Sequence, residues 1–221
     1  MINSPAVKEV VFRHWNSRAA TFDEAPNHGL ITPGQRTAWI ERVSEWAGSV
    51  ACDAIDVGCG TGFLALILAG LGHRVVGVDA ASNMLDRALA KAELESLTVD
   101  FRLGDAELLP CRDTSADLVV ERHVIWTLPN PSAALADWLR VLRPGGRLVL
   151  VEGDWRSAGH ADYAEIRDAL PLYGGRPASV LSDLVREVGF IDVEVELLMD
   201  AVLWGKQPDR GRYALIAQKH R

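Results

Sequence analysis

The densest chemistry in this sequence lies in a run of glycines led by an acid, Asp56-Val57-Gly58-Cys59-Gly60-Thr61-Gly62, between a β-type apolar run and a helical one. Glycines there let the chain turn sharply and let backbone N–H groups approach a ligand with no Cβ in the way. A second acid, Asp79, closes the next apolar run roughly twenty residues further on, where a ribose diol would be gripped. The spacing separates two kinds of ligand. A dinucleotide fingerprint reads G-x-G-x-x-G and aims a helix dipole at a pyrophosphate, whereas Gly58, Gly60 and Gly62 read G-x-G-x-G behind Asp56. A carboxylate beside the loop repels a pyrophosphate and suits a cationic ligand.

Other reactive side chains are weighed by position. His123 follows an apolar run whose end falls at the ligand-binding edge of an open α/β sheet, which makes it the candidate base. The competing reading is a histidine packed against the next helix. His28, in the polar Asn27-His28-Gly29 segment, either faces the site from a lid or lies on a loop surface. His14, His73 and His220 read as structural or exposed, and His160 is open between the two. Arg122 and Arg18 are the cations able to meet a ligand carboxylate, with Arg122 favoured by its strand-end position. Among seven tryptophans, Trp39, Trp46 and Trp138 fall at helical core spacing, while Trp15, Trp126 and Trp155 fall near site elements and can line an acceptor pocket. The Tyr173-Gly174-Gly175-Arg176 turn either borders that pocket or only reverses the chain.

The elements that must hold these residues alternate. Helices are expected over 4–18, started by Ser4-Pro5, and over 33–47, started by Thr32-Pro33 and stopped by Gly48. Strands at 53–57, 74–79, 97–103, 117–121 and 146–151 alternate with helices at 63–71, 82–91 and 131–142, which predicts a parallel sheet covered on both faces. A helix near 162–170, a helix at 179–188 and strands at 191–198 and 212–218 complete the chain. We read residues 1–221 as a single domain: an N-terminal helical extension or lid (1–50), a ligand-binding core (51–155) and a substrate-side insert with C-terminal strands (156–221).

Bulk properties exclude several classes. The chain has 221 residues, 48% of them hydrophobic and 24% charged, enough to bury a core without disulfides or metals. Its net charge of −7 argues against a nucleic-acid partner, which needs clustered Lys and Arg. Cys52, Cys59 and Cys111 form no C-x-x-C pair, so a zinc ribbon or disulfide framework is not expected and a cytoplasmic setting fits. No secretory signal is visible at the start, and the most apolar stretch, 63–72, is too short to span a bilayer. Oligomeric state is not legible.

Four blocks then carry a family resemblance. Asp56 to Gly62, Val76-Gly77-Val78-Asp79-Ala80-Ala81-Ser82-Asn83-Met84-Leu85, Gly104-Asp105-Ala106-Glu107-Leu108-Leu109-Pro110, and Arg140-Val141-Leu142-Arg143-Pro144-Gly145-Gly146-Arg147-Leu148 follow in order. Together they resemble the class I S-adenosylmethionine-dependent methyltransferases, in the group that includes ubiquinone and menaquinone biosynthesis enzymes. The resemblance spans roughly residues 50–155. It implies a doubly wound, Rossmann-like α/β sheet of seven strands, mostly parallel with the last antiparallel. S-adenosylmethionine would be the cofactor and S-adenosylhomocysteine the product.

By the same resemblance, the site would be made of Asp56, Gly58, Cys59, Gly60 and Gly62 around the methionyl and ribose portions. Asp79 and Ala80 would lie at the ribose, Met84 on the adenine, Asp105 and Ala106 at the adenine edge, and Arg122 at the methionine carboxylate. No metal is called for. Two positions depart from the family pattern. Glu121 stands where many relatives carry a small polar residue, and Phe22-Asp23 where many carry Tyr-Asp, which removes a hydroxyl.

Methyl transfer needs alignment above all, and a base only for an acceptor that must lose a proton. The expected partner is a small, aromatic or heterocyclic acceptor methylated on O, N or C, with no nucleic acid and no membrane. Rivals are an enzyme that cyclises or rearranges S-adenosylmethionine, a nicotinamide-dependent oxidoreductase, and a non-catalytic cofactor-binding protein.

Overall fold

A computed structural model of the chain describes residues 4–25, 28–155, 165–208 and 211–221. Seven strands, β1 (Asp53–Val57), β2 (Arg74–Asp79), β3 (Asp100–Leu103), β4 (Ala116–Arg122), β5 (Leu142–Gly153), β6 (Phe190–Leu197) and β7 (Arg212–Lys219), join in one sheet. Their order is β3-β2-β1-β4-β5-β7-β6. The first five in this order pair in parallel, and β7 runs antiparallel to both β5 and β6. This is the mostly parallel, doubly wound sheet with an antiparallel strand that the resemblance implies. Successive strands step outward from β1 to β3, then return to the other side of β1 at β4. The crevice at their carboxyl ends, where the order reverses, is the ligand position of open α/β sheets.

The helices are α1 (Ser4–Arg18), α2 (Pro33–Ala47), α3 (Phe63–Gly70), α4 (Ser82–Leu94), α5 (Pro131–Val141), α6 (Ala178–Val188) and the four-residue α7 (Ala201–Trp204). Their ends follow from local chemistry. The Thr32 side chain accepts the Gln35 N–H and Pro33 occupies the first turn of α2, while Asn130 accepts the Ala133 N–H ahead of Pro131 in α5. Gly189, at φ 113°, stops α6 in the left-handed region.

Because helices cover both sheet faces, the central strands are buried on both sides and read as nearly continuous apolar runs. Alternate residues of β5 serve opposite cores. Leu148 and Leu150 join Leu135, Trp138 and Leu215 on one face, and Val149 and Val151 join Trp39, Leu64 and Trp204 on the other.

Three expectations are revised. β3 begins at Asp100 and not at 97, because the N–H groups of Ser96 and Leu97 bond back to Glu93 and Ala92 at the end of α4. The expected helix near 162–170 starts outside the described residues, and its described part holds only a 3₁₀ turn, Arg167–Ala169. The segment α7 escaped the sequence reading because four residues show no periodicity. It is anchored by burial: Trp39, wholly inaccessible, donates its Nε1–H to the Leu203 carbonyl at 2.7 Å and meets Trp204 edge-on at 5.3 Å. We expect Trp39→Ala to destabilise the fold by about 3–5 kcal/mol, through the cavity left, while the Leu203 carbonyl keeps its bond from Gln35 Nε2. Urea unfolding checks this, and a loss within about 0.5 kcal/mol, typical of a surface change, would contradict the anchoring role.

Candidate active site

A cavity of about 350 Å³ opens at the carboxyl ends of β1, β2, β3 and β4, where Gly58, Asp79, Gly104 and Arg122 line it. Its size falls in the range of small-molecule sites, roughly 300–1,000 Å³. The helix α1 forms one wall through Lys8, Val11, Phe12 and Trp15.

The glycine loop after β1 works by three different constraints. Gly58 has φ 61°, and a Cβ there would come within 2.4 Å of Val124 Cγ2. Gly62 has φ 88°, opens α3, and a Cβ would press Ala88 Cβ at 3.2 Å. Gly60, at φ 53°, is the one whose Cβ would enter open cavity, with nothing nearer than Phe22 Cε1 at 3.8 Å. The Cys59 N–H is committed to the Val78 carbonyl at 3.0 Å, and its side chain is buried.

Asp79 joins the loop to β2. Its Oδ2 accepts the Gly60 N–H at 2.8 Å and its Oδ1 accepts the Ala81 N–H at 2.8 Å. Each oxygen keeps lone-pair capacity, and the residue faces the cavity. Burial pushes its carboxyl above the usual range, against the pull of those N–H groups.

Asp56 behaves differently from the sequence expectation. It is 2% exposed, does not line the cavity, and accepts the Ala65 N–H at 2.8 Å, so it fastens the first turn of α3. Burial raises its pKa to about 8. Asp56, Cys59 and Gly62 thus stand behind the wall, because each is consumed in shaping the turn.

At the β2–β3 end, Ala80, Met84, Asp105 and Ala106 all line the cavity. Met84 is buried with Ala19 and Ala81, against Trp15 and Phe22. The Asp105 carboxylate accepts the Glu107 N–H and pairs with Lys8 Nζ at 2.6 Å. Lys8 also pairs with Glu107 at 2.6 Å. The contribution of Lys8 is not visible in any motif, since it comes from packing α1 across the sheet edge.

The opposite end is aromatic and cationic. Glu121, fully buried, accepts the Val124 N–H at 2.8 Å and ties down the turn after β4. Within that turn His123 takes φ 63°, an uncommon conformation for a side chain larger than glycine, and its ring lines the cavity. The ring meets Trp155 edge-on at 4.8 Å, and neither ring nitrogen has a hydrogen-bond partner among the described residues. Burial, then the charges of Arg212 and Arg122, hold its pKa well below the ordinary value. A neutral imidazole carries one donor and one acceptor, and a buried pair of this kind calls for a polar ligand group.

His28 also lines the cavity, stacked on Phe22 at 4.2 Å. Burial, with Arg122 and Arg18 adding to it, lowers its pKa to about 4. The guanidinium of Arg122 sits 3.6 Å above the Phe63 ring centre and donates to the His28 carbonyl at 2.8 Å. Burial brings its pKa down to about 9, so it stays charged at neutral pH.

Behind this end, Glu121 and Glu152 form a buried carboxyl pair on neighbouring strands. Burial raises Glu121 to about 8, and burial with the charge of Glu121 raises Glu152 well above the usual carboxylate range. Asp23, next to Phe22, binds the glycine loop: it accepts from Thr61 Oγ1 at 2.6 Å and pairs with Lys91 at 3.0 Å.

Trp15, Trp126 and Trp155 line the cavity, whereas Trp39, Trp46 and Trp138 are packing residues. Arg18 is exposed on α1 and does not reach it. The Tyr173–Arg176 turn sits behind Trp155, with Gly175 against the Gly153 carbonyl and the indole. His73 is held at the Cys52 N–H, His14 rests edge-on against Trp15, and His220 is at the exposed tail. Asn27 and His160 lie outside the described residues. Two lining cations, Lys206 and Arg212, were not foreseen. A signal for Arg212 existed: an antiparallel β7 brings its first residue to the edge where the parallel strands end.

Comparison with known proteins agrees with this arrangement. Residues 55–150 match the family model described as a methyltransferase domain. The chain is 31% identical over 180 residues to a malonyl-[acyl-carrier protein] O-methyltransferase of Yersinia pestis, covering 75% of this chain and 61% of that one. It is 33% identical over 170 residues to a demethylmenaquinone methyltransferase of Renibacterium salmoninarum, covering 73% and 70%. The chain thus spans under two thirds of the first relative and slightly more of the second. In fold it is similar to the [4+2]-cyclase SpnF, with a TM-score of 0.74, 22% identity and 95% of both chains covered. With the family match and a relative 33% identical over 70% of its length, the chain belongs to the class I S-adenosylmethionine-dependent methyltransferases.

Proposed function

We propose that this protein transfers the methyl group of S-adenosylmethionine to an O, N or C atom of a small-molecule acceptor. The observation that carries the reading is Asp79, a cavity-facing carboxylate bonded to the backbone of both the glycine loop and the turn after β2. The residues present fit the cofactor: Gly60 leaves open the space a Cβ would fill, and no pyrophosphate-binding spacing follows it. When bound, S-adenosylmethionine supplies an electrophilic methyl group on a sulfonium sulfur, which passes in line to the acceptor.

In this reading Asp79 holds the ribose hydroxyls, with Ala80 beside it, and Met84 flanks the adenine. Asp105 and Ala106 meet the adenine edge, and Gly58 and Gly60 cradle the methionyl chain. Arg122 receives the methionine carboxylate. Asp56, Cys59 and Gly62 act through the loop they shape. His123 takes a proton from an acceptor that must lose one, which its uncharged ring permits. His28, with α1, belongs to the lid of residues 1–50, and residues 156–221 border the acceptor.

A small acceptor suits a cavity walled by Trp15, Trp126 and Trp155. The acidic chain speaks against nucleic acid. Among the described residues no helix is long and apolar enough to cross a membrane. A cytoplasmic setting is part of the proposal.

Asp79→Ala should weaken S-adenosylhomocysteine binding by roughly 1.5–3 kcal/mol, the worth of a charge-assisted hydrogen bond. Calorimetry checks this, and unchanged affinity in a folded variant would remove Asp79 from the site. Turnover tests the reaction itself. An acceptor gaining one methyl as S-adenosylhomocysteine appears supports transfer, while methylthioadenosine or an acceptor rearranged at constant mass points to another reaction.

For an acceptor that is deprotonated, His123→Ala should slow turnover without changing cofactor affinity. Because burial depresses the pKa of His123, the ring remains a competent base as the pH falls from about 8 through 6.5, the ordinary histidine value. A rate in the wild type that halves near pH 6.5, and loses that dependence in the variant, would show a solvent-like histidine instead.

A further inference from the structure

We infer that Glu121 is a positioning residue for this site: through one turn, its carboxyl holds His123 at the cavity and Val124 against the glycine loop. The half that concerns cofactor binding rests on the methyl-transfer reading above, and the half that concerns the His123 ring does not.

Glu121 stands in the middle of the sheet, opposite Val57 of β1 and Leu150 of β5, and is wholly inaccessible. Sheet pairing runs one residue past β4, where the His123 N–H meets the Val151 carbonyl at 3.1 Å. There the chain leaves the sheet, and the next N–H groups need partners of another kind. They turn back to the Glu121 carboxyl, which accepts the Val124 N–H at 2.8 Å with the Ile125 N–H also drawn to it. Thr127 closes the turn from the other side. Its N–H and its hydroxyl both donate to the Val124 carbonyl, at 2.8 and 2.7 Å.

Two demanding positions depend on that turn. His123, at φ 63°, sits in the left-handed region, which a side chain keeps only where its surroundings over-determine it. Its ring lines the cavity, with neither nitrogen partnered among the described residues. Val124 fills the place that a Cβ on Gly58 would take, since such an atom would lie 2.4 Å from Cγ2 and 3.0 Å from Cγ1. Its side chain therefore backs the first glycine of the loop whose Gly60 N–H bonds Asp79. A shift of the turn moves the imidazole and the backing of the loop together.

The turn requires one acceptor oxygen at position 121. A carboxyl supplies it in either protonation state, a carboxamide supplies it too, and an aliphatic side chain does not. Glu121→Leu and Glu121→Gln therefore separate the hydrogen bond from the burial. Two readouts on the full chain report the two ends of the turn. Calorimetry gives the affinity for S-adenosylhomocysteine. NMR of ¹⁵N-labelled histidine follows the His123 ring against pH, its signal identified by its loss in His123→Asn.

In the wild type, burial holds the ring well below the ordinary histidine pKa, so its signal should not titrate near about 6.5. In Glu121→Leu it should titrate close to that value. The groups whose charges reach the ring, Arg212, Arg122 and His28, are unaltered there, so the change reports a ring that has left its place. The same variant should bind S-adenosylhomocysteine at least about fivefold more weakly, the scale of a buried N–H left unpartnered. Glu121→Gln should return both readouts to wild-type behaviour. Val124→Ala keeps the Glu121 bond and removes the backing of Gly58. It should weaken S-adenosylhomocysteine by about threefold, through a smaller population of the closed loop, and leave the ring titration alone.

A folded Glu121→Leu with wild-type affinity and ring titration would reduce Glu121 to packing and overturn the inference. Failure of Glu121→Gln to restore either readout would overturn it as well. Should Glu121→Leu not fold, Val124→Ala still decides, because unchanged affinity there breaks the link to the glycine loop. A wild type that binds no S-adenosylhomocysteine would instead strike the cofactor reading, while the ring titration would still judge the hold on His123.

Discussion

Two backbone N–H groups, from Gly60 and Ala81, converge on the Asp79 carboxylate, and that convergence sets the mouth of the cavity. A buried carboxylate is costly unless hydrogen-bonded, so Asp79 holds its position only while the glycine loop and the turn after β2 stay closed around it. The same requirement holds the loop open to a ligand. Side chains at Gly58 or Gly62 would collide with Val124, Ala88 or Leu66, and one at Gly60 would fill the cavity. Asp56, directly behind, completes the arrangement by fixing the start of α3 through the Ala65 N–H. One carboxylate therefore shapes the helix start and the other faces the cavity, and their environments, not their residue type, divide the labour.

The far end of the cavity is organised by burial of groups that would rather be hydrated. His28 and His123 are kept uncharged by desolvation and by the positive field of nearby arginines. The arginines keep their charge because it is spread over a guanidinium lying on aromatic faces, Phe63 for Arg122 and the two indoles for Arg212. Burial raises the pKa of both members of the carboxyl pair, Glu121 and Glu152. Burial thus works against the charged form of the imidazoles lining the cavity and of the acids behind it, a combination that water would not maintain.

The wall made by α1 and the turn after it is joined to the sheet by a few polar contacts. Asp23 reaches Thr61 and Lys91, Lys8 reaches Asp105 and Glu107, and the His28 carbonyl meets Arg122. The Asp23–Lys91 pair is well exposed and contributes little by itself. Beside these contacts, α1 buries Val7 and Val11 in the core, and Ala19 just beyond it packs with Met84.

Residue order alone determined a great deal here. The alternation of apolar runs, the Ser-Pro and Thr-Pro helix starts, the glycine loop and the acids at Asp79 and Asp105 are local signals, because turns, caps and strand periodicity depend on near neighbours. The line of residues Gly58, Gly60, Asp79, Met84, Asp105 and Arg122 along one cavity was legible for that reason. Tertiary structure decided whatever depends on distant neighbours. It turned Asp56 away from the cavity, brought Lys8 from the first helix and Arg212 from the last strand to its lining, and joined Glu121 to Glu152. It also pressed Trp39 onto a four-residue helix more than 160 positions away in the chain. Which way a side chain faces, and whether its charge survives, is set by the dielectric and the partners that folding assembles. No window along the sequence contains them.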